Sequence, residues 1–263
     1  SDLKEAAGLP TNNAGPSEKE LRKAVGRLLH VDDPLRLTKW FELLDRDDHV
    51  STWAEVDRRT IRMLTSQLLG QVSELPRDIG LQEGLDYVRS HPQVCAELKE
   101  LFGVLAGRIS HVVRTVSEVP DVPLRVHAHY TRLEILSAFG HGDGAKAATW
   151  QTGVMWLPES KADLFAFTRD KTSGSFSPNT RYKDFAISRE IVHWESQSVT
   201  RAVSDTGKRY QNHVELGSSI HLFGRMRQSN RAFGYMGPGT YVSHEGECPM
   251  AIVWRLKFPL PVD

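Results

Sequence analysis

The sequence has two cysteines, Cys95 and Cys248, and it lacks any apolar run long enough to cross a lipid bilayer. The pattern offers the two cysteines no partners for a metal site, and it predicts two reduced thiols rather than a disulfide framework. The first residues also lack a basic stretch followed by an apolar one, which is the pattern of a secretory signal peptide. We therefore expect a soluble cytoplasmic protein without membrane association.

The 263-residue chain has no net charge, because 33 Lys and Arg residues balance 33 Asp and Glu residues. The balance hides an uneven distribution, with a net charge of −3 over residues 1–120 and +3 over residues 121–263. Residues 169–231 hold 11 basic and 6 acidic residues, a net charge of +5. Overall neutrality gives no general attraction to nucleic acid, but this basic segment is able to contact phosphates.

Familiar catalytic patterns are missing as well. The chain has no Gly-x-x-x-x-Gly-Lys-[Ser/Thr], His-Glu-x-x-His, Cys-x-x-Cys or Gly-x-Ser-x-Gly sequence. Glu190 and Glu195 both lack the lysine two positions later that an Asp…Glu-x-Lys nuclease needs. His127, His129 and His141 have no cysteine or carboxylate partner in the pattern, so we interpret them as polar surface residues. The sequence predicts no catalytic residue, no metal site and no cofactor.

The first part of the chain has the apolar spacing of amphipathic helices. Apolar residues of the segment Leu21–Leu29 share one helical face, and Ser17 with Glu20 predicts a capping box at its start. The proline-containing stretch Glu118–Pro123 marks the change from helical to β-type apolar spacing. We therefore predict a helical domain over residues 1–120.

Residues 121–263 begin with one more predicted helix, Thr131–Phe139, with Thr131 as N-cap and Glu134 three residues later. Short β-patterned runs then alternate with turn residues, and Gly237-Pro238-Gly239 is interpreted as a tight bend. The predicted strands are Gly153–Leu157, Asp163–Thr168, Asp184–Ile187, Ile191–Trp194, Ser218–Arg225, Gly234–Tyr235, Tyr241–Ser243 and Met250–Phe258. The fold class is therefore α+β, with a small mixed or antiparallel β-barrel-like module over residues 121–263.

Four segments of the β-rich part combine aromatic rings with amide, carboxylate or cationic groups, the chemistry of a nucleobase pocket. In the strand Ile191–Trp194, alternation places Val192 and Trp194 on one face, so Trp194 lines a pocket or fills the core. The candidate ligand-binding residues are Tyr182, Asp184, Trp194, Gln197, Ser198 and Tyr210. The candidate phosphate contacts are Arg181, Lys183, Lys208, Arg209, Arg225 and Arg227.

Three strings carry a family resemblance: Phe176–Tyr182, His193–Ser198 and Tyr241–Gly246 with Pro249-Met250. The stretch from His129 to Pro261 resembles an uncharacterised domain at the carboxyl-terminal end of some bacterial superfamily 2 helicases of the DEAD/DEAH type. The resemblance implies a restriction or phage-defence setting, in which some members also carry a phospholipase-D-like nuclease domain. None of the helicase motor is present, so the resemblance implies the C-terminal piece of a longer protein.

The resemblance supplies no ligand. By analogy with PUA-like and SRA-like readers of modified DNA, the expected function is a non-catalytic DNA-binding specificity module that reads a modified base or backbone. Its expected partners are DNA and a helicase motor in cis. The alternative is a protein-interaction or regulatory module that docks the motor or a partner through the helices at Leu21–Leu29 and Leu98–Val113, and an unrecognised enzyme is the third interpretation.

Overall fold

The structure is a computed structural model, and it describes residues 17–70, 72–142, 144–168 and 185–261. Within them the chain forms seven α-helices and ten β-strands. The helices are α1 (Glu18–Val25), α2 (Pro34–Leu44), α3 (Glu55–Leu69), α4 (Leu81–Arg89), α5 (Pro92–Ala106), α6 (Arg132–Ala138) and α7 (Asp205–Gln211). The strands are β1 (Arg114–Thr115), β2 (Arg125–Val126), β3 (His129–Tyr130), β4 (Val154–Leu157), β5 (Ala162–Thr168), β6 (Phe185–Ala186), β7 (Ile191–Glu195), β8 (Ser219–Arg225), β9 (Phe233–Glu245) and β10 (Ala251–Leu256). The α+β class is confirmed.

Local capping signals predicted both helix starts, but only one of the two predicted capping boxes forms. Thr131 caps α6, because Glu134 N donates to its Oγ1 and the Glu134 carboxylate accepts from Thr131 N at 2.7 Å. Ser17 precedes α1 but has a left-handed φ of 59° and makes no side-chain cap bond. Its hydroxyl contacts Glu74 instead. A tertiary contact therefore replaces the predicted capping box.

The eight-stranded sheet is open rather than closed into a barrel. Its order is β4-β5-β8-β9-β10-β7-β6, with β3 added beside β9, so β4 and β6 end the described path without pairing to each other. Strands β5 and β8 are parallel while the other pairs are antiparallel. The parallel pair requires a crossover, which passes through β6, β7 and α7. The predicted mixed sheet is confirmed, but the described strands do not close into a barrel.

Strand β9 joins the two halves of this sheet. Its first half pairs with β8 and its second half with β10, and the exchange occurs near Gly239. The sequence predicted two strands separated by a bend at Gly237-Pro238-Gly239, but the ladder continues through these residues. A register shift between Leu222 and Phe223 lets β8 follow the irregular stretch, where Pro238 offers no N–H to the ladder.

Two apolar cores cover the two faces of the sheet. The first contains Trp40 and Leu64 from the helices together with Phe223 and Tyr235 from the sheet, so it extends across the boundary predicted near residue 120. The second lies on the opposite face and contains Phe165, Trp194, Tyr210, Ile220 and Trp254, among others. Among the described helices, none combines the length and apolarity needed to cross a membrane.

Candidate nucleic-acid interface

The structure places the predicted aromatic walls inside the second core. Trp194 is 3% exposed, and its ring stacks on Phe165 with centroids 4.1 Å apart and planes 7° from parallel. Tyr210, on α7, is 1% exposed and forms an edge-to-face contact with Phe165, with ring centroids 5.1 Å apart. Tyr182 and Asp184 lie outside the described residues. Since Phe165 covers the Trp194 ring, the ring has no open face there for a nucleobase.

Gln197 and Ser198 lie apart from that core, in the loop after β7. Ser198 is exposed, and the Gln197 carbonyl accepts hydrogen bonds from Thr200 N and Ser196 Oγ. These contacts close a turn beside Met250. Of the four predicted pocket residues that the structure describes, two therefore lie in the core and two at the surface.

The predicted phosphate contacts also divide. Arg181 and Lys183 lie outside the described residues, and Lys208 is exposed on α7. Arg209 donates two hydrogen bonds to Asp163, at 2.7 and 3.0 Å, and Asp163 is 1% exposed. The Arg209 guanidinium also lies 4.2 Å from the centre of the Trp156 ring. The assignment of Arg209 to phosphate is therefore corrected, because its guanidinium neutralises a buried carboxylate.

Arg225 and Arg227 lie in the hairpin between β8 and β9. Arg225 Nε donates to Thr168 Oγ1 at 2.9 Å, and its Nη1 donates to the Asn230 carbonyl at 2.7 Å. The Asn230 side chain in turn accepts from Arg227 N at 3.1 Å, which closes the turn. These bonds hold Arg225 at the base of the hairpin and leave Arg227 exposed near its tip.

Arg132 is a second arginine whose guanidinium lies near the same ring as that of Arg225, the ring of Phe233. The Arg225 guanidinium lies 4.6 Å and the Arg132 guanidinium 5.4 Å from the centre of Phe233. Arg132 comes from the first turn of α6 and donates to the carbonyls of Gln151 and Thr152. Its Nε is buried without a hydrogen-bond partner among the described groups. Burial lowers the pKa of Arg132, and the positive charge of Arg225 lowers it further.

Two more arginines extend this cluster. Burial lowers the pKa of Arg27, which follows α1, and the positive charge of Arg231 lowers it further. Arg231 is exposed beside the start of β9. We call the set Arg27, Arg132, Arg225, Arg227 and Arg231 the arginine surface. Sequence reasoning missed Arg27 and Arg132 because they come from distant segments, whereas the +5 charge of residues 169–231 already included Arg231.

Many arginines elsewhere in the protein have a carboxylate partner. Seven arginines elsewhere pair with described carboxylates: Arg22, Arg36, Arg46, Arg58, Arg59, Arg89 and Arg209. No guanidinium of the arginine surface forms an ion pair with a described residue. A hollow of about 150 Å³ beside Arg225 is lined by His129, Met226 and Asn230, and His129 is held by Asp32 at 2.7 Å. Clustered cations without carboxylates favour an anionic ligand.

The histidines considered for metal binding have other contacts. His127 Nε2 lies 3.1 Å from the Pro259 carbonyl, His129 pairs with Asp32, and the His141 carbonyl accepts from Arg62. Across the described ranges, no group of three His, Cys, Asp or Glu side chains is arranged to hold a metal ion.

The helices proposed for partner docking bury their apolar faces internally. Leu21, Leu28 and Leu98 are fully buried, and they belong to the first core. Leu29 and Val104 are exposed, but Leu29 lies in the turn after the first helical segment and Val104 lies on α5. The two amphipathic segments therefore stabilise the protein itself and present no continuous apolar stripe.

Residues 124–263 match the sequence profile of DUF3427, a domain of unknown function, and this match covers more than half of the chain. The chain belongs to the DUF3427 family. The DUF3427 region contains the large sheet, α6 and α7, together with four residues of the arginine surface, whereas Arg27 precedes it.

Comparison with solved structures finds only distant resemblance. A crystal structure of Arabidopsis thaliana SUVH6 in complex with SAM aligns with a TM-score of 0.38 and 10% identity, covering 87% of this chain and 40% of that one. A second crystal form aligns with a TM-score of 0.32 and 11% identity, covering 93% of this chain and 40% of that one. This chain thus spans less than half of those chains, and the likeness is too slight to support a shared ligand. No curated protein sequence matches the chain.

Proposed function

We propose that this DUF3427 protein is a non-catalytic module that binds DNA through the arginine surface. The supporting observation is that Arg132 and Arg225 lie over one ring beside the exposed hairpin residues Arg227 and Arg231, while the charge of Arg231 also acts on Arg27, and none of the five has an ion-pair partner among the described residues. Gathering like charges is unfavourable in the unbound protein. A phosphate backbone supplies the missing counter-charges and releases its own condensed cations on binding.

The hairpin gives this surface its shape. Arg225 and Arg132 are fixed by hydrogen bonds to backbone and hydroxyl groups, while Arg227 and Arg231 are exposed on either side of the turn. Met226, 58% exposed, lies between the two hairpin arginines. An arginine-flanked hairpin of this kind suits a duplex groove, where guanidiniums contact phosphates on both sides.

The proposal includes a finer specificity. The chain leaves β5 at Thr168, whose hydroxyl accepts from Arg225, and the following sequence contains Arg181, Tyr182, Lys183 and Asp184. We propose that this polar and aromatic sequence adds preference for a modified base or backbone. We also propose, from the sequence resemblance, that the module directs a superfamily 2 helicase in a restriction or phage-defence protein.

The central test is DNA affinity at several salt concentrations. Fluorescence anisotropy with a labelled duplex should show that the double variant Arg227→Ala/Arg231→Ala binds about tenfold more weakly and has a log–log salt slope about 2 units flatter. The loss should be equal for unrelated sequences, because phosphate contacts carry no sequence information.

A matched control replaces two exposed arginines outside the surface, Arg108→Ala/Arg255→Ala. This variant removes the same net charge and should retain the wild-type salt slope. Equal losses in both double variants would show that only net charge matters, and the proposed interface would then be wrong. Repeating the titration with methylated, hydroxymethylated and plain duplexes tests the finer specificity separately.

A further inference from the structure

The helical half contains a second arginine-rich site, away from the arginine surface. A cavity of about 440 Å³ lies between the start of α3 and the turn that follows α6. Arg58, Arg59 and Arg62 line it from the first two turns of α3, and Glu55 is the carboxylate among the described lining residues. The arginine surface includes Arg132 at the beginning of α6, so the two sites lie at opposite ends of that helix.

The turn after α6 is built around these guanidiniums. Arg62 Nε donates to the Gly144 carbonyl at 2.8 Å and its Nη2 donates to the His141 carbonyl at 2.7 Å. Gly142 has a φ of +84°, and a Cβ there would lie 2.8 Å from Arg62 Nη2. A side chain at residue 142 is therefore excluded by both space and conformation. Arg62 thus fixes the glycine-rich wall, and its neighbours face the space that remains.

Arg58 and Arg59 retain most of their donors. Arg58 contacts the Trp53 carbonyl and Glu55, while Arg59 donates to Glu55 at 2.7 Å and to the Asp121 carbonyl at 3.3 Å. Two guanidiniums carry about ten N–H donors, and these contacts within the described residues engage four of them. One carboxylate is shared between two cations, and their side chains are 36% and 20% exposed. The site therefore has donors and positive charge available for an anion.

The apolar residues that line the cavity favour an organic anion over a simple inorganic ion. Val50 and Leu81 line the same cavity, so apolar surface lies beside the guanidiniums. The volume of about 440 Å³ falls within the range of small-molecule pockets, roughly 300–1,000 Å³. Guanidinium forks bind phosphate oxygens through paired, charge-assisted hydrogen bonds. We propose that this cavity binds a small phosphorylated ligand of nucleotide size, with Arg58 and Arg59 on the phosphate and Val50 and Leu81 against its organic part.

Isothermal titration calorimetry on the full chain tests the site. ADP is the main probe, and inorganic phosphate and pyrophosphate are titrated in separate experiments. ADP should bind saturably, and Arg58→Gln/Arg59→Gln should weaken it at least tenfold. Arg58→Gln alone, at the more exposed position, should weaken it about threefold if the double variant is poorly folded. Arg108→Gln is the matched control, because this exposed arginine lies outside the cavity.

Two further titrations test whether the bound phosphate belongs to a small molecule or to an oligonucleotide end, and whether this site is independent of the DNA interface. A 5′-phosphorylated oligonucleotide should bind no better than its unphosphorylated form, and Arg227→Ala/Arg231→Ala should leave ADP binding unchanged. Absence of saturable ADP binding, or equal binding by Arg58→Gln/Arg59→Gln, would overturn the proposal. An oligonucleotide whose 5′-phosphate binds in an Arg58-dependent manner, while ADP does not bind, would overturn the small-ligand assignment.

Discussion

Arg36 and Glu134 form an ion pair between α2 and α6, with Arg36 Nη1 3.0 Å from Glu134 Oε1 and side-chain exposures of 1% and 0%. The Glu134 carboxylate also accepts from Thr131 N and lies 2.7 Å from His30 Nε2. Arg36 precedes the DUF3427 region and Glu134 lies inside it. A buried ion pair therefore links the helical segment to the family domain.

Removing Arg36 should destabilise the whole chain. Arg36→Met leaves the Glu134 carboxylate buried without its guanidinium partner. We expect a loss of about 3–5 kcal/mol in the free energy of unfolding, measured by urea denaturation at neutral pH. Arg108→Met is the control for an exposed arginine, and it should change the same quantity by about 0.5 kcal/mol or less. A loss below about 1 kcal/mol in Arg36→Met would show that the pair is dispensable.

The capping box at Thr131 and the Arg36–Glu134 pair differ in how far sequence predicts them. Glu134 follows Thr131 by three residues, so helical geometry alone brings their groups together. Arg36 and Glu134 are separated by 98 positions, and no local periodicity indicates that a side chain of α2 meets one of α6. Local sequence does not predict the arginine surface either, since Arg27, Arg132 and Arg231 come from distant segments of the chain.

Strand alternation likewise predicted that Val192 and Trp194 share a face, and both are buried. What covers that face is set by the curvature of the sheet, which brings Phe165 of β5 over the Trp194 ring although three strands lie between β5 and β7. Charge patterning did identify the segment that contains the hairpin arginines. It could not show that Arg209, in the same segment, is used by the buried Asp163.

A buried histidine should make stability depend on pH near neutrality. His221 lies between Tyr235 Oη at 2.7 Å and Ser219 Oγ at 3.0 Å, and burial lowers its pKa from 6.5 to about 3. Between these values the unfolded chain takes up a proton that the folded chain does not. Stability therefore falls as pH decreases through 6.5, by up to about 1.4 kcal/mol per pH unit for this group.

His221→Gln should flatten this dependence between pH 7 and pH 5, measured as the change in urea-unfolding free energy relative to the wild type. Burial also lowers the pKa of His213 and of His127, so part of the slope should remain. Glu134 contributes at lower pH: burial would raise its pKa, but His30 and Arg36 lower it to about 2. Its stabilisation is lost only as pH falls below about 4.5. An unchanged slope in His221→Gln would contradict the assignment.

Arg209 and Lys208 are neighbours in sequence, but we expect only the substitution of Arg209 to destabilise the protein. Burial raises the pKa of Asp163, and its two hydrogen bonds from Arg209 oppose that rise. Arg209→Met should therefore cost about 3–5 kcal/mol in unfolding free energy, because Asp163 remains buried without its partner. Lys208→Ala removes an exposed cation and should change stability by about 0.5 kcal/mol or less. If Arg209→Met is as stable as Lys208→Ala but binds DNA more weakly, Arg209 is a phosphate contact after all.

Trp194 distinguishes a structural ring from a ligand-binding one. Its ring stacks on Phe165 at 4.1 Å and meets the edge of Tyr210 at 5.9 Å, all three within the second core. Trp194→Ala should leave a cavity and lower the unfolding free energy by about 3–5 kcal/mol, a fall of roughly 6–20 °C in Tm. Trp194→Phe keeps an aromatic ring and should cost less than half as much.

The DNA readout then completes the comparison. Trp194→Phe, which should be largely folded at room temperature, is expected to bind duplex DNA with wild-type affinity and the same preference between modified and plain duplexes. In a pocket that reads a modified base, Trp194→Ala would instead keep its Tm within about 4 °C and lose that preference. Calorimetry and anisotropy on the same preparations therefore decide the role of Trp194, because a core ring changes only the Tm and a pocket ring changes only the selectivity.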